Sequence, residues 1–444
     1  MKKETLLNHL KTFDPEIFTL LQEEIQRQRY TLSLVPNSNA MSPFASYLEG
    51  SILANSTFET HSSAASGSRL EELAIKRAQK LFGSRHAIVR LGSIATASRV
   101  VCLALLKEGD RILSFNLRKK EHCSGLNFGF ENFGLDPKTQ SIHWDEVAHI
   151  AERTKPRLII FSPVSYPRNA DYRRLSEIAH DAGAYLWVDI GQSVGLVAAG
   201  LLPSPVPFAD VVTFPTNDSL HGPDGAIVLS TQEIARALDD AVINTGHTAL
   251  HINHLAALTI ALREAGTETF RRYGKQVLIN SKELEHTFEK EGIPLLCGGT
   301  ETHLVLPALS PKMQEIDITA YMAQAGFQVK SDNIPTMQAE EFFPALRLSS
   351  LNPTTRSLKR KDMASIGQLL AKALKDKLSD SELEATRSQV ATLVMNQPIF
   401  SEEWLTTGST GLRTFYNNAD SSAAHEFASN EKRNIIKSFF HIRD

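Results

Sequence analysis

Asp189 closes the apolar run Ala184-Tyr185-Leu186-Trp187-Val188. A carboxylate at the carboxyl end of a strand stands where open α/β sheets bind their ligands. The same carboxylate has a plainer use, which is to cap the turn that follows. His247, His251 and His254 recur at helical spacing, so one helix face could offer three imidazoles to a zinc-like ion. No carboxylate or cysteine nearby completes that set, and the polar face of a helix start is the favoured reading. Arg118-Lys119-Lys120, just before His122, reads as a solvated basic turn. The chain has no His-Glu-x-x-His, no Gly-x-Gly-x-x-Gly after a strand and no Gly-x-x-x-x-Gly-Lys-Ser/Thr loop, which leaves metal-dependent and nucleotide hydrolysis poorly supported.

The elements that must position such groups follow from periodicity. Asp14-Pro15-Glu16 supplies an N-cap and a first-turn proline, and Ile17, Leu20, Leu21 and Ile25 follow at helical spacing, predicting a helix that ends before Thr31. From residue 70 onward, helices alternate with short apolar strands. Helices are expected over 70–81, 96–106 and 173–182, and strands over 87–90, 111–115, 157–161, 184–190, 211–213 and 226–229. That alternation predicts a mostly parallel sheet covered by helices on both faces. One long helical stretch is expected from 250 to about 290. Candidate strands at 303–306 and 345–348 and a helix over 361–378 suggest a smaller C-terminal α/β domain. The expected division is an N-terminal helix and arm (1–45), a large domain (46–275), the small domain (276–400) and a polar tail (401–444).

Composition narrows the function classes. Of 444 residues, 42% are hydrophobic and 22% charged, enough apolar content for one large core and a smaller second one. The 47 basic residues nearly balance the 50 acidic ones, which gives no electrostatic reason to expect nucleic acid or an anionic membrane as partner. Any charged ligand must be held locally. Cys102, Cys123 and Cys297 are far apart and lack metal-type spacing, as reduced thiols would be. With no leader-like amino terminus and no run of about 18 apolar residues, the expectation is a cytoplasmic protein.

Gly183-Ala184-Tyr185-Leu186-Trp187-Val188-Asp189, followed by Gly195-Leu196-Val197-Ala198-Ala199-Gly200, resembles a long signature of serine hydroxymethyltransferases. Echoes of that family also stand in Glu72-Leu73-Ala74-Ile75-Lys76-Arg77-Ala78, Val206-Pro207-Phe208-Ala209-Asp210-Val211-Val212-Thr213, Gly298-Gly299-Thr300-Glu301-Thr302-His303-Leu304 and Pro353-Thr354-Thr355-Arg356. The match runs in order from about residue 14 to 400. It implies a vitamin-B6 enzyme of the aspartate-aminotransferase fold, usually a homodimer, that moves a hydroxymethyl group between serine and tetrahydrofolate. Fold alone does not carry function, so the resemblance is followed residue by residue. Asp189 matches the carboxylate that pairs with the pyridine nitrogen of the coenzyme and keeps its ring an electron sink. His122 matches the histidine that stacks on that ring. Arg347 matches the arginine that grips the amino-acid carboxylate with a bidentate fork, so a carboxylate-containing ligand is implied. Glu59 matches a glutamate near the transferred group, where a carboxyl of raised pKa relays protons.

The pattern then breaks. The family's Schiff-base lysine lies in a run of threonines followed by His-Lys-Thr-Leu-Arg-Gly-Pro; here the stretch is Thr213-Phe214-Pro215-Thr216-Asn217-Asp218-Ser219-Leu220-His221-Gly222-Pro223, which puts Asp218 in the lysine's place. An aspartate forms no imine. Its charge also has the wrong sign: at about 5 Å and an effective dielectric near 20, repulsion from a phosphate is on the order of 3 kcal/mol, roughly a hundredfold in affinity. Taking up a proton or turning outward would relieve it. The family's Ser-Gly-Ser phosphate turn becomes Ser93-Ile94-Ala95, where one hydroxyl and the amides of a helix start remain for an anion. The paired loop tyrosines are replaced by the patch 62–67, a paired glycine is Thr248-Ala249, and Gln192, His221 and Asn37 replace a histidine, an arginine and a serine. Three readings stay open. The chain is a pseudoenzyme that keeps a dimeric scaffold for a ligand or protein partner, or it holds pyridoxal or pyridoxamine phosphate without a covalent link and uses Asp218 as acid or base, or Lys119 or Lys120 serves as surrogate amine. The tail after Phe400, with Trp404, Phe415, Tyr416, Phe439 and Phe440, is either an interaction segment or a cap over its own domain.

Overall fold

The protein is described from a computed structural model over residues 9–55, 57–59, 65–115, 127–245, 249–336, 342–395, 397 and 399. Seven strands form the central sheet in the order His86–Leu91, Ala226–Ser230, Val211–Pro215, Tyr185–Asp189, Leu158–Phe161, Arg111–Phe115, Gly129–Phe133. Only Ala226–Ser230 runs against its neighbours. The central parallel strands are buried on both faces, which is why Leu158–Phe161 reads as four consecutive apolar residues. Their side chains alternate between two cores. Leu186 and Val188 join Ile159 and Phe161 on one face, while Trp187 joins Leu158 and Ile160 on the other. The Trp187 indole N–H donates to Thr213 Oγ1 at 2.8 Å, which satisfies the one polar atom of a fully buried ring.

The mostly parallel sheet anticipated from the sequence is therefore present, with seven strands and with differences at its margins. The edge strand Gly129–Phe133 has an exposed, polar middle and carries no clear strand pattern. The stretch expected as one helix over 250–290 is two, Ile252–Ala265 and Glu268–Lys290, preceded by the short strand Ala249–His251. Gly266 ends the first helix, and Thr267 starts the second by accepting the Phe270 N–H at 3.2 Å. The apolar periodicity continues through that break because both helices bury one face, the first in the large core and the second across both cores.

Helix Glu268–Lys290 links the two packing units. Phe270 lies in a large-sheet core, whereas Leu284 and Phe288 join the second core with Phe327, Leu346, Leu348, Met363 and Leu370. That second unit holds an antiparallel sheet in the order Leu304–Val305, Phe342–Ser349, Lys330–Pro335. The N-terminal helix Pro15–Tyr30 starts as its sequence predicts, with Asp14 Oδ1 accepting the Ile17 N–H at 3.0 Å. The chain then adds strand Leu32–Ser33 in parallel to Phe327–Gln328, burying Leu32 and Leu34 in the second core. No helix among the described residues is long and apolar enough to cross a membrane.

Candidate functional site

The parallel register of Asp189 with Thr213 brings the end of strand Tyr185–Asp189 level with strand Val211–Pro215, so the loop that follows Pro215 lies at the same edge of the sheet. That loop is closed tightly. The Thr216 hydroxyl donates to Pro223 O at 2.6 Å and Gly222 N–H donates to Thr216 O at 3.0 Å. A Cβ on Gly222 would sit 2.5 Å from Thr216 O, so only glycine allows the closure. Inside the loop, Asp218–Leu220 makes one 3₁₀ turn, with Asp218 at φ +48° and His221 at φ +58°. Left-handed backbone costs a non-glycine residue about 1–2 kcal/mol, and Asp and His are among the side chains that tolerate it best.

Contacts from distant segments hold that conformation. Asn39 Nδ2 donates to Asp218 O at 3.1 Å and to the Tyr273 hydroxyl at 3.3 Å. His221 Nδ1 donates to Ala40 O at 2.6 Å, and Ser42 N–H donates back to His221 O at 2.8 Å. The imidazole lies against the rings of Phe270 and Tyr273, and burial pushes its pKa down to about 4 even though the Ala40 bond opposes the change. Gly195 N–H donates to the Ser219 hydroxyl at 3.0 Å from the short helix Val194–Ala198.

Asp218 stays inside, 8% exposed. Burial, and after it the charge of Asp224, push its carboxyl up to about 7. The carboxyl is thus kept inside rather than turned outward, and its environment favours taking up a proton. Asp224 follows Gly222-Pro223 directly and accepts a hydrogen bond from Asn217 Nδ2. Its signal in the sequence was a second carboxylate in one short loop. Glu264 is also pushed up to about 7 by burial, against a hydrogen bond from Ser42 that lowers it. Ser42 thereby ties that carboxyl to the backbone of His221.

Asp189 is buried at the strand end, and its Oδ1 accepts the Gly191 N–H at 2.8 Å. The turn-capping role is thus real. Gly191 allows the close approach, since a Cβ there would lie 3.0 Å from Pro215 Cδ and 3.1 Å from Asp189 Oδ1. Ser93 is the N-cap of helix Ile94–Leu105: its Oγ accepts the Thr96 N–H at 3.2 Å and lies 3.0 Å from Thr96 Oγ1, while Ala95 is exposed. The hydroxyl is therefore committed to its own helix. Ser93→Ala removes that cap, and urea unfolding should report a loss of about 1 kcal/mol.

Arg347 sits in strand Phe342–Ser349, 3% exposed. Its Nη2 donates to Val164 O at 2.8 Å, and its Nη1 lies 3.6 Å from Asp332 Oδ2. His303 is buried close to that guanidinium, which adds to the burial that pushes the imidazole down to about 3. Glu59 belongs to strand Thr57–Glu59 and pairs antiparallel with Ala249. His122, Lys119, Lys120, Thr248 and His247 lie outside the described residues. Among the described residues no group of three His, Cys, Asp or Glu side chains could hold a metal ion.

A seven-stranded sheet covered by helices, with an aspartate at a strand end and a second α/β unit beside it, defines the architecture of the fold-type-I pyridoxal-phosphate enzymes. A profile of the serine hydroxymethyltransferase family matches residues 10–370, and the chain belongs to that family. Members depend on pyridoxal phosphate and are typically oligomeric. The residues present fit that coenzyme at one end only. Asp189 suits a pyridine nitrogen. At the other end, among the described residues, the carboxyls of Asp218 and Asp224 share one loop and the Ser93 hydroxyl already caps a helix.

Proposed function

We propose that this is a cytoplasmic serine hydroxymethyltransferase homologue with a degenerate vitamin-B6 site, a pseudoenzyme that uses the dimeric family scaffold to bind a carboxylate-containing ligand or a protein partner. Ordinary transfer of a hydroxymethyl group between serine and glycine is outside its reach. The observation that carries this reading is the carboxyl of Asp218, which is buried in a loop locked by Asn39, Ser219 and Gly222, at the position that the family resemblance assigns to the lysine. No amine stands there to attack an aldehyde, and those contacts fix the backbone that carries the carboxyl. Titrating the purified protein with pyridoxal phosphate and then serine tests it. The expected result is no new visible absorbance and no glycine formed; a chromophore that shifts when serine is added sinks the proposal.

One observation favours the second reading, in which the coenzyme is held without a covalent bond. A buried carboxyl pushed up to about 7, in the loop that follows the strand paired with Asp189, is poised to exchange a proton at neutral pH. In that case pyridoxamine phosphate should raise the melting temperature, by the mass action of a ligand that binds only the folded state. A melting temperature that stays constant through millimolar pyridoxamine phosphate removes this alternative.

A further inference from the structure

Arg347 is nearly sealed from water, with its side chain 4% exposed, whereas the side chain of Asp332 is 40% exposed. A buried guanidinium is costly unless it is paired and hydrogen-bonded, and here Val164 O and the Asp332 carboxylate contribute to that pairing. The strand register explains how Asp332 arrives. In the antiparallel pair Lys330–Pro335 and Phe342–Ser349, Asp332 faces Ala345, and Arg347 lies two residues further on the same face, which makes Asp332 and Arg347 diagonal neighbours. From the other packing unit, the Ser165 hydroxyl donates to Asp332 Oδ2 at 3.0 Å. Ser165 and Val164 lie just beyond strand Leu158–Phe161, so the end of the central sheet and the small-unit hairpin touch at this ion pair.

The distances make the pair provisional. Asp332 Oδ2 stands 3.6 Å from Arg347 Nη1, longer than the 2.7–2.9 Å of a charge-assisted fork contact. Asp332 is the more exposed member of the pair, so a carboxylate drawn to Arg347 from solvent meets its charge. The incoming carboxylate can then take the fork in bidentate geometry, but only by moving Asp332 aside or bearing its repulsion. We infer that Asp332 is an internal competitor for Arg347 and sets the affinity of the site for small carboxylates. This inference rests on the reading of Arg347 as a carboxylate receptor.

Calorimetric titration of the full chain with glycine, and with glycinamide as the control that lacks only the carboxylate, tests it in wild type, Asp332→Asn and Ser165→Ala. Asp332→Asn should bind glycine about fivefold more tightly than wild type, the scale of removing one partly exposed charge. Ser165→Ala keeps every charge and loosens Asp332, and it should gain about threefold; it remains readable if Asp332→Asn fails to fold. Glycinamide should show no gain. Equal glycine affinity in all the folded proteins makes Asp332 a structural partner of Arg347 and overturns the inference, while the carboxylate reading stands. If glycine and glycinamide behave alike throughout, the carboxylate reading itself fails and the inference falls with it.

Discussion

Asp218→Asn should stabilise the protein by about 4 kcal/mol at pH 8 and leave it nearly unchanged at pH 4. The native carboxyl titrates at about 7 against 3.8 for an unburied aspartate, so between those values the folded chain holds a proton that the unfolded chain has released. Where the native state binds more protons, stability falls as pH rises. The loss attributable to Asp218 therefore begins near pH 4 and is complete above about pH 7, where the charge is buried in the folded state. Asparagine has the same shape, carries no charge and accepts the φ of +48° at this position. Urea unfolding of both proteins from pH 4 to pH 8 reads the effect. A constant difference across that range would mean that Asp218 is ionised throughout, and the protonated-site argument would be wrong. His221 has the opposite sign: its pKa is depressed to about 4, so its contribution is intact above the ordinary histidine value and is lost as pH falls from about 6.5 towards 4.

Gly195→Ala should cost about 3 kcal/mol or more, with loss of the ordered loop around Asp218. A Cβ at residue 195 would lie 2.1 Å from Ser219 O, 2.7 Å from its carbonyl carbon and 3.0 Å from its Cβ. Two of those three atoms are backbone, so no rotamer change relieves the clash. Either helix Val194–Ala198 moves back, breaking the 3.0 Å bond from Gly195 N–H to the Ser219 hydroxyl, or the 3₁₀ turn Asp218–Leu220 shifts. Equilibrium unfolding gives the cost, and faster amide exchange at 218–222 would place it. An alanine variant as stable as wild type would show that the loop is far more compliant than its contacts require.

Much of the fold was legible because it is written in contiguous residues. Strands such as Leu158–Phe161 and Ala226–Ser230 are unbroken apolar runs, and Asp14-Pro15 announces its helix with a cap and a proline. The break at Gly266-Thr267 was hidden because apolar periodicity runs across it, although the glycine and the capping threonine were both present. Gly129–Phe133 escaped because an edge strand has no need to be apolar at every position.

The site divides differently. Family register located Asp218 and Asp189, and a second carboxylate at 224 was visible beside the first. That Asp218 stays buried in left-handed backbone depends on Asn39, 179 positions away, and on an imidazole fastened to Ala40 across 181 positions. Asp332 and Ser165 are 167 positions apart, and no local pattern relates them.

By itself, the sequence determined the alternating sheet, the strand-end aspartate and the absence of an amine at residue 218, because side-chain chemistry and short-period patterning are local properties. Only the tertiary structure decided that the carboxyl at 218 remains inside and shares its loop's electrostatics with Asp224, and that Arg347 meets an internal carboxylate. Burial and ion pairing are set by whichever distant segments pack together, and those neighbours shift a pKa or occupy an arginine without leaving any mark on the residues beside it in the chain.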